Sequence, residues 1–64
     1  MQVYIERSNE EKELTFNGTA KQLCKELDVN PQTVLILQND ELVTEDEELR
    51  NEDKIKLITV VSGG

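Results

Sequence analysis

The sequence predicts a small two-layer α+β domain, with one helix laid across one face of a mixed four- to five-stranded sheet. Three observations predict it. Apolar and polar residues alternate near both ends of the chain, the period of a half-buried strand. Between them, Ala20, Leu23, Cys24 and Leu27 fall at i, i+3, i+4 and i+7, which makes one apolar stripe on a short amphipathic helix. The dense run Val34-Leu35-Ile36-Leu37 reads as an inner strand. One apolar helix face and one apolar sheet face then bury each other.

Taken in order, residues 2–7 place Val3 and Ile5 on one face and Gln2, Tyr4 and Glu6 on the other. Arg7-Ser8-Asn9-Glu10 is a polar turn, and residues 11–16 alternate again with Leu14 and Phe16 inward, so the pair predicts an antiparallel hairpin. Asn17-Gly18 closes the second strand. Thr19 with Gln22 three residues on has the pattern of a capping box. The helix of about nine residues that it opens is too short to stand without tertiary packing. Asn30 before Pro31 marks the exit loop. Asn39-Asp40 is a turn, since both residues tolerate positive φ. Leu42-Val43 predicts a short partner strand. Thr44 with Glu47 repeats the capping-box pattern and predicts a single helical turn, pinned to the core by Leu49. Asn51-Glu52-Asp53 turns the chain into a last strand over residues 54–61. Its Ile55 and Leu57 face inward, and its Lys56, Ile58 and Val60 face the other way. That outer face, with Tyr4 and one residue of the 34–37 run, has no second helix to cover it and predicts a docking surface.

Sixty-four residues make one domain, and a chain of this size buries only about 60% of its unfolded surface. Fourteen acids against seven bases give a net charge of −7, which argues against nucleic acid as a partner, because phosphate binding needs clustered Lys and Arg. The same charge suits a partner with a basic docking surface. The single cysteine excludes an internal disulfide. The first residues meet a charge too early for a signal peptide, and the longest apolar run is far too short to cross a bilayer, so no membrane association and a cytoplasmic location are expected. There is no histidine and no cysteine cluster, so no metal site is expected. The carboxylates are many, but those of the stretch from Asp40 to Asp53 read as a solvated face rather than an acid/base pair, and no catalytic residue is expected. Cys24 lies on the apolar stripe and reads as a small hydrophobe.

The last residues are Val60-Val61-Ser62-Gly63-Gly64. A Gly-Gly end has no side chains, few conformational limits and an unhindered acyl carbon, so it can be threaded into a narrow channel of another protein. Two stretches carry a resemblance: Val34-Leu35-Ile36-Leu37-Gln38-Asn39-Asp40-Glu41-Leu42-Val43, and Leu49 to Leu57 running into that end. They resemble the ThiS/MoaD family of sulfur carriers, and the compact length and the Asn-x-Glu-Leu-Val turn look most like its thiamine-pathway member, ThiS. Members often carry Gly where this chain has Asp40, and Asp-Gly-Asp where it has Asn51-Glu52-Asp53.

The resemblance implies a ubiquitin-like β-grasp fold over residues 1–61, with 62–64 as a flexible reactive tail. It implies a carrier acted on by an enzyme rather than an enzyme. A partner adenylating enzyme, similar to the ubiquitin-activating enzymes, would use ATP to activate the carboxylate of Gly64. A sulfur donor protein would convert that group to a thiocarboxylate, and an acceptor such as thiazole synthase would take the sulfur. No cofactor is bound by the carrier itself. Gly64 would be the covalent site, Gly63, Ser62, Val61 and Val60 would contact the activating enzyme, and Tyr4 and Ile58, together with Val60, would form the docking face. Three readings stay open beside the thiamine one: the small subunit of molybdopterin synthase, a ubiquitin-like modifier joined to lysines through Gly64, and an interaction domain with an inert tail.

Overall fold

A computed structural model describes residues 1–60. Strand β1 (Gln2–Ile5) is followed by a 3-10 turn (Glu6–Ser8), β2 (Glu10–Glu13), β3 (Gly18–Thr19), helix α1 (Ala20–Glu26) and a second 3-10 turn (Pro31–Thr33). Then come β4 (Val34–Gln38), β5 (Glu41–Val43), β6 (Glu48–Leu49) and β7 (Lys54–Thr59). Five strands form one mixed sheet in the order β2-β1-β7-β4-β5, with β1 and β7 parallel and the other neighbours antiparallel. With one helix packed on this sheet, the expected α+β class and the ubiquitin-like β-grasp architecture both hold.

Alternation decides which side of the sheet is buried. Val3 and Ile5 on β1, Ile36 on β4, and Ile55 and Leu57 on β7 all point at the helix and are buried. Leu23, Cys24 and Ala20 from α1 meet them, and Leu49 closes the group. Leu14, Phe16, Leu27, Val29, Val34 and Val43 pack around this centre, half-buried. Lys21, Gln22, Lys25 and Glu26 stay on the wet side of the helix, as the stripe predicts.

Both polar signals around the helix and the first turn of β4 behave as local chemistry requires. Thr19 Oγ1 accepts from the Gln22 amide, and Gln22 Oε1 accepts from the Thr19 amide, a closed capping box. Asn39 and Asp40 both adopt positive φ, 51° and 69°, the geometry of a two-residue hairpin turn whose twist matches its strands.

Several expectations need correction. The first strand is Gln2–Ile5 rather than 2–7, since Glu6–Ser8 form a 3-10 turn, and the last is Lys54–Thr59 rather than 54–61. The second strand is Glu10–Glu13 rather than 11–16, and its four side chains are all exposed; Leu14 and Phe16 turn toward the core just after it. The helix spans seven residues rather than nine, because Asp28 takes a left-handed φ of 58° and stops it. Thr44 and Glu47 form no helical turn. Their segment is a plain turn closed by the Glu47 amide on the Thr44 carbonyl, and it runs straight into β6, which pairs with β3. That pairing wins because it brings the carbonyls of Glu45 and Glu47 onto the Lys21 and Ala20 amides at 2.8 and 2.9 Å. These are among the amides that a helix leaves unsatisfied at its start. The segment thus completes the cap of α1 instead of forming a helix of its own.

Candidate docking face and carrier terminus

The uncovered face of the sheet is built by the residues that alternate with the core. In register, Tyr4 lies beside Lys56, Leu35 faces Ile58, Leu37 faces Lys56, and Leu37 faces Leu42. Directly opposed residues share a face, so Leu35, Leu37, Leu42 and Ile58 form one apolar group with Tyr4, Lys54 and Lys56 at its side, and Val60 follows Ile58 by two residues just past the strand. Leu35, Leu42 and Val60 are 46%, 63% and 45% exposed, high for apolar side chains that sit side by side. Tyr4 and Ile58 are half-buried, and the Tyr4 hydroxyl donates to Asn9 Oδ1 at 3.0 Å, which fixes its ring. The sequence reading placed Tyr4, Ile58, Val60 and one residue of the 34–37 run here. It missed Leu42. The signal was present: a two-residue turn at Asn39-Asp40 sets Gln38 opposite Glu41, and therefore Leu37 opposite Leu42.

The route to the C-terminal residues is anchored. The Val60 amide donates to the Thr33 carbonyl at 2.9 Å, one residue past the end of β7. Val60 therefore leaves the sheet from a fixed point at the margin of the apolar face. The expected carrier residue Gly64 and the expected contacts Gly63, Ser62 and Val61 lie outside the described residues.

A model of the ThiS family matches residues 2–64. The chain belongs to the ThiS family. The sulfur carrier protein TtuB of Thermus thermophilus is 35% identical to it over 54 residues, 84% of this chain and 83% of that protein. The resemblance, read over essentially the whole chain and strongest from residue 34 onward, thus holds over residues 2–64, and the ThiS family gives it a place among small sulfur carriers rather than catalysts. Membership of this family implies an activating enzyme and sulfur-transfer partners in general terms. Among the described residues, no helix is long and apolar enough to cross a membrane.

Among the described residues, two titratable groups are perturbed, and both support the scaffold. Asp53 was read as part of a solvated acidic turn; instead it is buried. Its carboxylate accepts from the Arg50 amide at 2.8 Å, Gln38 Nε2 at 2.7 Å and Asn39 Nδ2 at 3.1 Å. These donors, the Arg50 amide first, hold its carboxyl below the usual range, against the opposing pull of burial. Asn39 Oδ1 in turn accepts from the Lys54 amide at 2.9 Å. The network locks the β4–β5 turn to the start of β7. Cys24 is fully buried, and burial, with the nearby charge of Glu45 second, pushes its thiol up. A protonated, enclosed thiol behaves as the small hydrophobe that the apolar stripe predicts.

Proposed function

We propose that this ThiS-family chain carries sulfur as a thiocarboxylate on Gly64, with residues 1–61 as the folded body and 62–64 as the reactive tail. The observation that carries this reading is that the family match runs through Gly63 and Gly64 while Val60 is anchored beside an exposed apolar face. A terminal carboxylate is an anion at neutral pH and a poor electrophile. An adenylating partner therefore activates it: a carboxylate oxygen attacks the α-phosphorus of ATP and pyrophosphate leaves. The terminal sulfur of a donor persulfide then attacks the acyl carbon and AMP departs with the electron pair. A thiol cleaves the resulting S–S bond, forming a disulfide on the donor side and leaving the thiocarboxylate on Gly64. Its sulfur is the nucleophile delivered to an acceptor enzyme.

Tyr4, Ile58 and Val60, joined by Leu35 and Leu42, dock the partner, and Val61, Ser62 and Gly63 extend along its channel. The acceptor that the compact length and the Asn39 to Val43 turn favour is the enzyme that builds the thiazole of thiamine. The likeness to TtuB supports the carrier chemistry and leaves the acceptor to experiment. ATP is consumed by the partner, not held by the carrier.

The test is intact mass spectrometry after incubation with an activating enzyme, ATP and a persulfide donor. The carrier reading requires a mass gain equal to replacing one oxygen by sulfur, located on Gly64. If the chain instead appears joined to target lysines through Gly64, the modifier reading replaces it.

A further inference from the structure

Acids outnumber bases two to one in this chain, yet three of its seven bases line a single cleft. Arg7 comes from the 3-10 turn after β1, and Lys21 and Lys25 sit one turn apart on the exposed side of α1. Val29 and Pro31 supply apolar lining, and Asp28 is the one acid among the lining residues. The cleft is a wide, open one of about 510 Å³. Elsewhere, Lys56 lies 3.2 Å from Asp40, and Lys12 lies 4.0 Å from Glu10. Among the described residues, Arg7, Lys21 and Lys25 form no ion pair. Their charges are therefore gathered and exposed, three bases against the single carboxylate of Asp28.

We infer that this cleft docks an acidic segment of a partner protein, one whose carboxylates meet Arg7, Lys21 and Lys25 while an apolar side chain rests on Val29 and Pro31. The inference is independent of the sulfur-carrier reading. A polyanion such as nucleic acid fits less well, because its dense phosphates feel the net charge of −7 along their whole length, and the apolar lining offers them nothing. A short peptide segment presents few charges and supplies the apolar contact. Beyond a Debye length, about 8 Å at physiological ionic strength, the repulsion from the rest of the molecule is screened and the local cations dominate.

The cleft also lies on the helix layer, away from the apolar sheet face. The turn that carries Arg7 packs on β7, and the turn that begins at Pro31 holds Val60 through Thr33. Both walls therefore abut the end of the last strand.

The test uses the full chain, labelled with ¹⁵N, and a short synthetic peptide of Glu and Asp residues around two leucines, at physiological ionic strength. Saturable amide shifts are expected at Arg7, Lys21, Lys25 and Val29. The double variant K21E/K25E should bind about tenfold more weakly, the scale of losing two exposed charge pairs. The double variant K54E/K56E on the sheet face should bind as the parent does, and a peptide with serine in place of leucine should bind less tightly. Lys21 and Lys25 are exposed, and spectral dispersion reports directly whether each variant is folded; R7Q repeats the test from a different element. Shifts centred on Lys54 and Lys56, undiminished binding by K21E/K25E, no saturation, or tighter binding of a short thymidine oligonucleotide than of the acidic peptide would each overturn the inference.

Discussion

Gln38 on β4 donates through Nε2 to Oδ2 of Asp53 at 2.7 Å, joining two residues fifteen positions apart across the turn end of the sheet. The same oxygen takes the Arg50 amide, and the other oxygen takes Asn39. One carboxylate therefore sets the geometry of both the β4–β5 turn and the entry to β7.

Asp53→Asn should lower stability at pH 7 by about 1–3 kcal/mol, the range for leaving buried donors without their acceptor. The folded-state pKa of Asp53 is lowered, so its contribution is complete above the ordinary aspartate range and is lost as pH falls through and below about 4. The gap between parent and variant should therefore be widest near neutrality and narrow on acidification below pH 4. Urea unfolding across that pH series checks both the size and the sign; a gap that widens in acid would refute the assignment.

Asp40→Gly should stabilise the fold by about 0.5–1 kcal/mol, since Asp40 holds a φ of 69° that glycine adopts without strain. The exposed ion pair it gives up with Lys56 is worth little. The midpoint of urea unfolding should rise with an unchanged slope.

Gly18→Ala should cost about 1 kcal/mol, comparable to losing an N-cap. A methyl group there would stand 2.6 Å from Gln22 Oε1, the atom that accepts from the Thr19 amide, and 3.1 Å from the Phe16 ring. Gln22 must swing away and open the capping box. Thr19→Ala should reach a similar loss by the other half of the box, and the double variant should cost less than the sum.

The parts of the fold legible in the sequence are those decided within a few residues. Thr19 and Gln22 find each other along one helical turn, and Asn39-Asp40 carry their own turn geometry. The same local grammar misread Thr44 and Glu47, because the pairing of β6 with β3 links residues some thirty positions apart, and strands of two residues each leave no periodic trace. Asp53 was invisible for the same reason: its partners Gln38 and Asn39 arrive from the end of β4 and the turn after it. The apolar face was legible in outline through alternation, and Leu42 joined it only once the turn register was known. The charged strand Glu10–Glu13 was placed late because none of its side chains enters the core, so only its backbone pairing with β1 defines it.

Leu57→Ala should leave the chain largely unfolded at 25 °C. Leu57 is fully buried at the middle of the sheet, and such truncations cost about 2–5 kcal/mol. A core this small supplies only about 3–5 kcal/mol in all. Circular dichroism and amide dispersion would show the loss.

On the proposed function, Leu35→Glu should keep the fold and slow thiocarboxylate formation at Gly64 by roughly tenfold or more, the scale of an interface anchor. Leu35 is 46% exposed and faces Ile58, so the charge enters the exposed apolar sheet face, the proposed docking surface, rather than the core. Initial rates from timed intact-mass measurements, beside thermal melts of the same samples, separate the two effects.

Strand β7 lies between β1 and β4, yet among the described strands it is the last in chain order. Until residue 59 has cleared the ribosome, the earlier hairpins have nothing to join them, and the first strand must wait for a neighbour more than fifty positions downstream. The body therefore assembles late and all at once, so a nascent chain halted before residue 54 would be protease-sensitive along its length rather than a smaller version of the finished carrier.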